Sequence, residues 1–196
     1  MTKGLLVILS GPSGVGKGTV CRALITQMPQ LKLSVSATTR MPRPGETEGR
    51  EYYFLTDETF ERMQAEGAFL EWANVHGHRY GTMKNKVAEM LMAGFDLLLE
   101  IDIQGAEQVC RQCPDAVSVF MAPPSMEVLK RRITGRGTED AERIRLRLEA
   151  ACREMEAYHT YDYVVVNNKV EVAAALLAAI IKAEKCRVSR GVRPPL

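Results

Sequence analysis

Four glycines and a lysine are spaced through the loop Gly11-Pro12-Ser13-Gly14-Val15-Gly16-Lys17-Gly18-Thr19, directly after the apolar run 5–9. Glycine lets successive backbone N–H groups converge on an anion without interference from Cβ atoms, and a helix that starts at the loop adds its positive end. Lys17 then reaches the β- and γ-phosphates as a compact point charge, so the segment is expected to bind a nucleoside triphosphate. One position departs from the usual pattern: Gly18 stands where such loops carry a Ser or Thr hydroxyl for Mg²⁺, and Thr19 substitutes only in part. Mg²⁺ keeps several waters and takes phosphate oxygens, so the metal remains compatible with the change.

A second set of charges lies in Arg40-Met41-Pro42-Arg43-Pro44-Gly45, where two prolines and a glycine forbid regular pairing and make a loop. Arg40 and Arg43 can each offer a planar fork to a phosphate dianion. A third set, between Lys130 and Arg147, is locally basic: Lys130, Arg131, Arg132, Arg136, Arg143, Arg145 and Arg147 outnumber Glu139, Asp140 and Glu142. Arg143 and Arg147 share a helix face by their spacing, and Arg145 points elsewhere, toward the surface.

The elements that must position these residues alternate along the chain. Apolar runs predict strands over 5–9, 95–101, 117–121 and 163–166. Helical periodicity predicts helices over 16–28, 104–111, after Ser125, and over 171–185. Continuous Leu, Ile and Val runs suit strands buried on both faces, so the expected core is an α/β fold with a parallel sheet flanked by helices. Between about 34 and 80 the pattern changes to short strands (34–37, 52–55, 69–74) around one helix capped by Asp57 and ended by Gly67, which reads as an inserted α+β unit. A second excursion follows Ser125, with Gly135-Arg136-Gly137 breaking one helix and Asp140 able to cap the next. The expected division is a core of 1–33, 83–125 and 148–190, an inserted unit of 34–82, a helical lid of 126–147 and a flexible tail of 191–196.

Composition narrows the function. The chain has 196 residues, 46% apolar and 26% charged, enough for one sizeable core. A net charge of +2 gives no global field for nucleic acid or a membrane surface, and neither is expected as a partner. With no apolar run of transmembrane length and no signal-peptide pattern, a soluble cytoplasmic protein is the expectation. Five scattered cysteines read as reduced thiols, and Cys110-Arg111-Gln112-Cys113 falls toward a helix end, where a thiolate gains nothing. His76, His78 and His159 read as surface or packing residues, and Trp72 as core. Oligomeric state is left open.

Several separated segments, in order, resemble the guanylate kinases: the phosphate loop, Ser36 to Glu46, Gly49-Arg50-Glu51-Tyr52-Tyr53-Phe54, Glu71-Trp72, Tyr80-Gly81-Thr82, Glu100-Ile101-Asp102-Ile103-Gln104-Gly105 and Gly135-Arg136-Gly137-Thr138. The resemblance covers roughly 5–184. It implies a P-loop NTPase-type core with an inserted GMP-binding unit and a lid, and Mg²⁺-dependent, in-line phosphoryl transfer from ATP to GMP in purine nucleotide metabolism. It further implies that Arg40, Arg43, Tyr52 and Tyr80 grip the GMP phosphate, and that Ser36, Glu71, Thr82 and Asp102 meet the guanine. A carboxylate accepts from guanine N1–H and N2–H₂ side by side, whereas adenine presents an acceptor at N1.

By the same resemblance Lys17, Arg132, Arg136 and Arg147 are the catalytic cations and Asn167 meets the adenine, although Asn167-Asn168 at a strand end also reads as a turn. Asp102 is open to three readings: a guanine contact, a water-mediated Mg²⁺ ligand, or a helix N-cap. Glu100 is expected to orient Asp102 or the metal's waters. Phosphoryl transfer needs positioned cations and no general base, because the GMP phosphate is already an anionic nucleophile. The rival readings are an interaction module without catalysis and a kinase for a different phosphorylated acceptor, against which the intact loop and Glu71 argue, respectively.

Overall fold

A computed structural model describes residues 4–75, 77–134 and 141–191, apart from the side chains at 141 and 143. His76, the segment 135–140 with Arg136 and the candidate cap Asp140, the Arg143 side chain and the tail 192–196 thus lie outside the described residues.

Five parallel strands form the main sheet: β1 (Leu6–Ser10), β2 (Leu31–Leu33), β7 (Asp96–Glu100), β8 (Val117–Ala122) and β9 (Tyr163–Val166), in the order β2-β7-β1-β8-β9. Strand β1 is central, with Val7 in register with Leu98 on one side and Val117 on the other. All five of its residues are buried. Val7 and Leu9 face α1 (Lys17–Gln27) and α7 (Val170–Lys185), meeting Leu24, Leu177 and Ile181. Leu6 and Ile8 face α3 (Lys84–Met92) and α4 (Ile103–Gln112), meeting Val87, Leu91, Ala106 and Val109. Two apolar faces explain why the run lacks polar alternation.

The second sheet has the order β4-β3-β6-β5, from β3 (Ser36–Thr38), β4 (Tyr52–Phe54), β5 (Phe69–Val75) and β6 (His78–Met83). Its β3 and β4 are parallel, while β6 runs antiparallel to both β3 and β5. A small core of Ala37, Phe60, Phe69 and Met83 fills the space beneath it, with Phe60 and Phe69 stacked at 4.4 Å between centroids. Helix α2 (Asp57–Ala65) starts one residue earlier than its expected cap implies: Thr56, not Asp57, accepts from the Thr59 N–H, at 3.2 Å. Asp57 sits in the first turn, where its charge still favours the helix end.

Two further differences concern the strands. The strand expected over 34–37 is found at Ser36–Thr38 in the second sheet, and Leu31–Leu33, for which no strand is expected, joins the main one. Trp72, expected in the core, is 38% exposed on the outer face of β5. At Trp72, β5 gives the interior its backbone rather than its side chain. Gln108 of α4 accepts from the Trp72 N–H at 3.2 Å and donates to the Trp72 carbonyl at 3.1 Å, and Gln112 donates to the Leu70 carbonyl at 2.6 Å. Two glutamines on one helix face thus satisfy the unpaired edge of the second sheet and fix it to the main one.

Helices α5 (Met126–Thr134) and α6 (Ala141–Met155) make the second excursion, and the expected lid boundary at 147–148 falls inside α6. No helix among the described residues is long and apolar enough to cross a membrane.

Candidate active site

The phosphate loop leaves β1 at the carboxyl edge of the sheet, beside the point where strand order reverses, the position at which open α/β sheets bind ligands. Gly11 makes the exit: its φ is +140°, and a Cβ there would stand 2.2 Å from the Met121 carbonyl oxygen of β8. Lys17 Nζ folds back to donate to the carbonyls of Gly11 at 2.5 Å and Pro12 at 3.3 Å. Protein surrounds the ammonium on most sides, and this burial lowers its pKa, opposed by the charges of Glu100, Glu154 and Asp102.

Two expected site residues brace the loop from behind. Arg132 of α5 donates to the Val15 carbonyl at 3.0 Å and to the Asn167 carbonyl at 2.9 Å, while Asn167 Nδ2 donates to the same Val15 carbonyl at 2.8 Å. Asn167 is 2% exposed and its Oδ1 has no partner among the described residues. Arg147 of α6 reaches the front of the loop, donating to Ser13 Oγ at 3.0 Å. Arg145 pairs with Glu142 and Glu149 on its own helix. Gly18 lies against Glu100: a Cβ at 18 would stand 3.3 Å from Glu100 Oε1. The missing hydroxyl of the loop therefore faces a carboxylate that stands in nearly the same place.

On the second sheet, Glu71 and Thr82 face each other across β5 and β6, and the Thr82 hydroxyl donates to Glu71 Oε1 at 2.5 Å. The other carboxylate oxygen lies over the start of α4, where Gly105 has no side chain; a Cβ at 105 would stand 2.7 Å from Glu71 Oε2 and 3.2 Å from Asp102 Oδ1. Asp102 is the N-cap of α4, accepting from the Gly105 N–H at 2.7 Å, so the helix opens at Ile103 rather than Gln104. Ser36 begins β3, in register with Tyr52. Arg40 stacks over the Tyr52 ring at 5.4 Å, and Tyr52 meets Tyr80 edge-on at 5.9 Å. Arg43 is exposed at the same loop.

Sequence reasoning gave no role to Glu46, although it stands within the motif. Its carboxylate accepts from Arg40 Nη2 at 2.8 and 2.9 Å and from the Arg43 N–H at 2.8 Å, shaping the loop before any ligand arrives. The pairing raises the Arg40 pKa and lowers that of Glu46. Gln108, Gln112, Gly105 and Glu154 were also missed. For Gly105 the signal was the position itself, two residues into a helix that begins at a strand-end carboxylate. A cavity of about 560 Å³ lies at the other ends of the strands, near Leu5, Asp96 and Arg190. There Asp96 is matched by Lys185 and Arg190 by Glu184.

Burial drives the Glu71 pKa up to about 7, with the Asp102 charge adding to the rise and the Thr82 hydrogen bond opposing it. Below about pH 7 the free protein therefore holds Glu71 protonated, and only the ionised carboxylate accepts from both guanine donors. For a guanine read by Glu71, as the resemblance implies, binding must then release a proton, so affinity should fall as pH falls. The expected result is a guanosine Kd that is flat above about pH 7 and weakens toward tenfold per unit below it. Guanosine is the proper probe, since it lacks the phosphate that itself titrates near pH 6. Calorimetry between about pH 5 and pH 8 checks the slope, which Glu71→Gln should abolish.

A phosphate loop on the central strand, joined through α4 to a second sheet with an arginine-bearing loop and a buried carboxylate, is the architecture of a nucleoside monophosphate kinase. The family model described as guanylate kinase matches residues 3–184. The guanylate kinase of Caldanaerobacter subterraneus subsp. tengcongensis is 53% identical over 188 residues, covering 96% of this chain and 91% of that protein. The guanylate kinase of Desulfitobacterium hafniense is 52% identical over 187 residues, covering 95% and 94%. The crystal structure of guanylate kinase from Anaplasma phagocytophilum aligns with a TM-score of 0.78 at 34% identity, covering 97% of this chain and 90% of that one. The chain belongs to the guanylate kinase family.

Proposed function

We infer that the chain transfers the γ-phosphoryl group of ATP to the phosphate of GMP, yielding ADP and GDP. The observation that carries this reading is the Glu71 carboxylate, held by Thr82 and kept close to Asp102 by the bare Gly105. Arg40, Arg43, Tyr52 and Tyr80 take the GMP phosphate, and Ser36, Glu71, Thr82 and Asp102 take the guanine. On the other side the loop 11–19 cradles the ATP phosphates, Lys17 turns from its own loop carbonyls to the β- and γ-phosphates, and Asn167 lies toward the adenine end. Arg132 and Arg147 supply positive charge where it builds on the oxygens in flight, and Arg136 belongs to the same group. No side chain removes a proton, because the attacking oxygen is already anionic.

A divalent ion, Mg²⁺ by its usual partnership with ATP, fits the donor set. Among the described residues no three His, Cys, Asp or Glu side chains gather as a metal cage, which suits an ion held mostly by water and phosphate oxygens. Glu100, at the space beside Gly18, and Asp102 through water would hold it. When bound, such an ion offsets charge on the triphosphate.

The chain works as a core of 1–33, 83–125 and 148–190, with 34–82 carrying GMP and 126–147 as the lid that excludes water from transfer. The test is ADP formation from ATP and Mg²⁺ with GMP, AMP, UMP, CMP or no acceptor. Strong dependence on GMP with little turnover alone is expected. Equal rates with AMP would remove Glu71 as the base reader, and ATP binding without transfer to any acceptor would overturn the reaction itself.

A further inference from the structure

Helix α6 presents two side chains of opposite charge to one residue of the phosphate loop. Glu154 Oε2 accepts from the Ser13 N–H at 3.1 Å, and Arg147 Nη2 donates to Ser13 Oγ at 3.0 Å. The two lie about two helical turns apart, which puts them on one face. Glu154 also acts on Lys17: after Glu100 it is the strongest of the charges that favour the protonated ammonium. A carboxylate bonded to a loop amide, with the loop lysine in its field, stands in the electrostatic position of a phosphate oxygen.

We propose that Glu154 is a positioning residue that holds the ATP phosphate seat while no nucleotide is bound, and that the incoming triphosphate displaces its carboxylate from the Ser13 N–H. The inference rests on the reading of the loop as the ATP site. A single N–H has one proton to give, and carboxylate and triphosphate repel each other, so the two acceptors exclude one another at Ser13. Displacement undoes one of the two bonds by which α6 grips Ser13. Arg147, on the same face, can then exchange the neutral Ser13 hydroxyl for phosphate oxygens, where a charge-assisted bond is stronger. ATP binding thereby turns an attractive contact on α6 into a repulsive one and delivers the arginine that transfer needs.

The test is ATP affinity, measured by calorimetry with Mg²⁺ and without GMP, in the unaltered chain, Glu154→Gln and Glu154→Ala. Gln keeps the size and an acceptor oxygen while removing the charge. ATP should bind about five- to tenfold more tightly to both variants, the size of effect that one partly screened charge produces, with the GMP Kd unchanged. An unchanged or weaker ATP Kd in variants that still bind GMP overturns the inference alone. Failure of the unaltered chain to bind ATP overturns the functional reading beneath it. A second readout follows the loop directly: the Ser13 amide resonance should differ between the unaltered chain and Glu154→Gln without nucleotide, and the two should coincide when a non-hydrolysable ATP analogue saturates the site. Resonances that already coincide in the nucleotide-free proteins overturn the proposal.

Discussion

Glu71→Gln should lower kcat/KM for GMP by roughly 10³-fold while leaving the ATP Kd within about twofold of the unaltered protein. The reasoning starts from what the carboxylate faces. Guanine N1–H and N2–H₂ are two donors side by side, and an amide can accept from one only, turning its own NH₂ toward the other. Two donors then meet in a site that is 5% exposed, with no water to relieve them. A buried polar mismatch of this kind amounts to about 4 kcal/mol at the upper end, which is the stated loss.

Removing the charge also stabilises the free protein at neutral and higher pH. The folded-state pKa of Glu71 is raised from 4.5 to about 7. Stability that the protonated form provides is complete below about pH 4.5 and is lost as pH rises through about 7. The amide mimics the protonated state and does not ionise, so the variant should melt no lower than the parent at about pH 8. Steady-state kinetics with varied GMP, calorimetry with ATP, and thermal melts at two pH values check the three parts. Equal losses in GMP and ATP binding would mean that Glu71 supports the fold rather than reading the base.

The two substrates' sites differ in how much of them the sequence reveals. The phosphate loop is contiguous, and its strand, turn and helix follow one another, so composition and order suffice to place it. The buried strands of the main sheet are as plain, because β1, β7 and β8 are apolar on both faces. Strand β2 escapes because it is three residues long and buries only Leu31, and α3 escapes because its cap, Met83, offers no side-chain acceptor to mark its start. At Thr56 and Asp57 two good caps stand side by side, and only the structure decides between them. Trp72 illustrates the limit of residue type as a guide: β5 is an edge strand whose first three residues are buried, and Trp72 is the point at which it runs out toward water.

The supporting residues are the least legible part. Glu154 meets Ser13 across 141 residues of sequence, and Gln108 meets Trp72 across 36. Nothing local marks a glutamine that caps a strand edge or a glutamate that occupies an anion site, since both have the spacing of ordinary helix surface residues. Glu46 is closer, six residues from Arg40, yet its loop lacks a regular period from which the contact could be read. What the sequence conveys well is chemistry carried by a contiguous segment. What it hides is the orientation of that chemistry by distant chain.

Lys17→Met should reduce kcat by on the order of 10³-fold, with the GMP Kd unchanged and the melting temperature the same or higher. Methionine keeps an unbranched stem of nearly the same length and removes the ammonium. In the nucleotide-free protein that ammonium donates, among the described residues, to the carbonyls of its own loop at Gly11 and Pro12, and burial already works against its charge. The folded state therefore loses two hydrogen bonds but is relieved of a cation whose burial outweighs the favourable charges of Glu100, Glu154 and Asp102. Catalysis has no such compensation. As the γ-phosphoryl group moves, charge shifts toward the β–γ bridging oxygen, and a fixed cation there is needed more in the transition state than in the ground state. The loss should consequently appear chiefly in kcat, with a smaller rise in the ATP KM. The arginines act from their own anchors, Arg132 at the Val15 and Asn167 carbonyls and Arg147 at Ser13 Oγ, and neither replaces the ammonium at the bridging oxygen. Single-turnover transfer with saturating ATP and GMP isolates the chemical step. A variant that transfers phosphate at the parent's rate, or that melts several degrees lower, would show that Lys17 shapes the empty loop instead of stabilising the transfer.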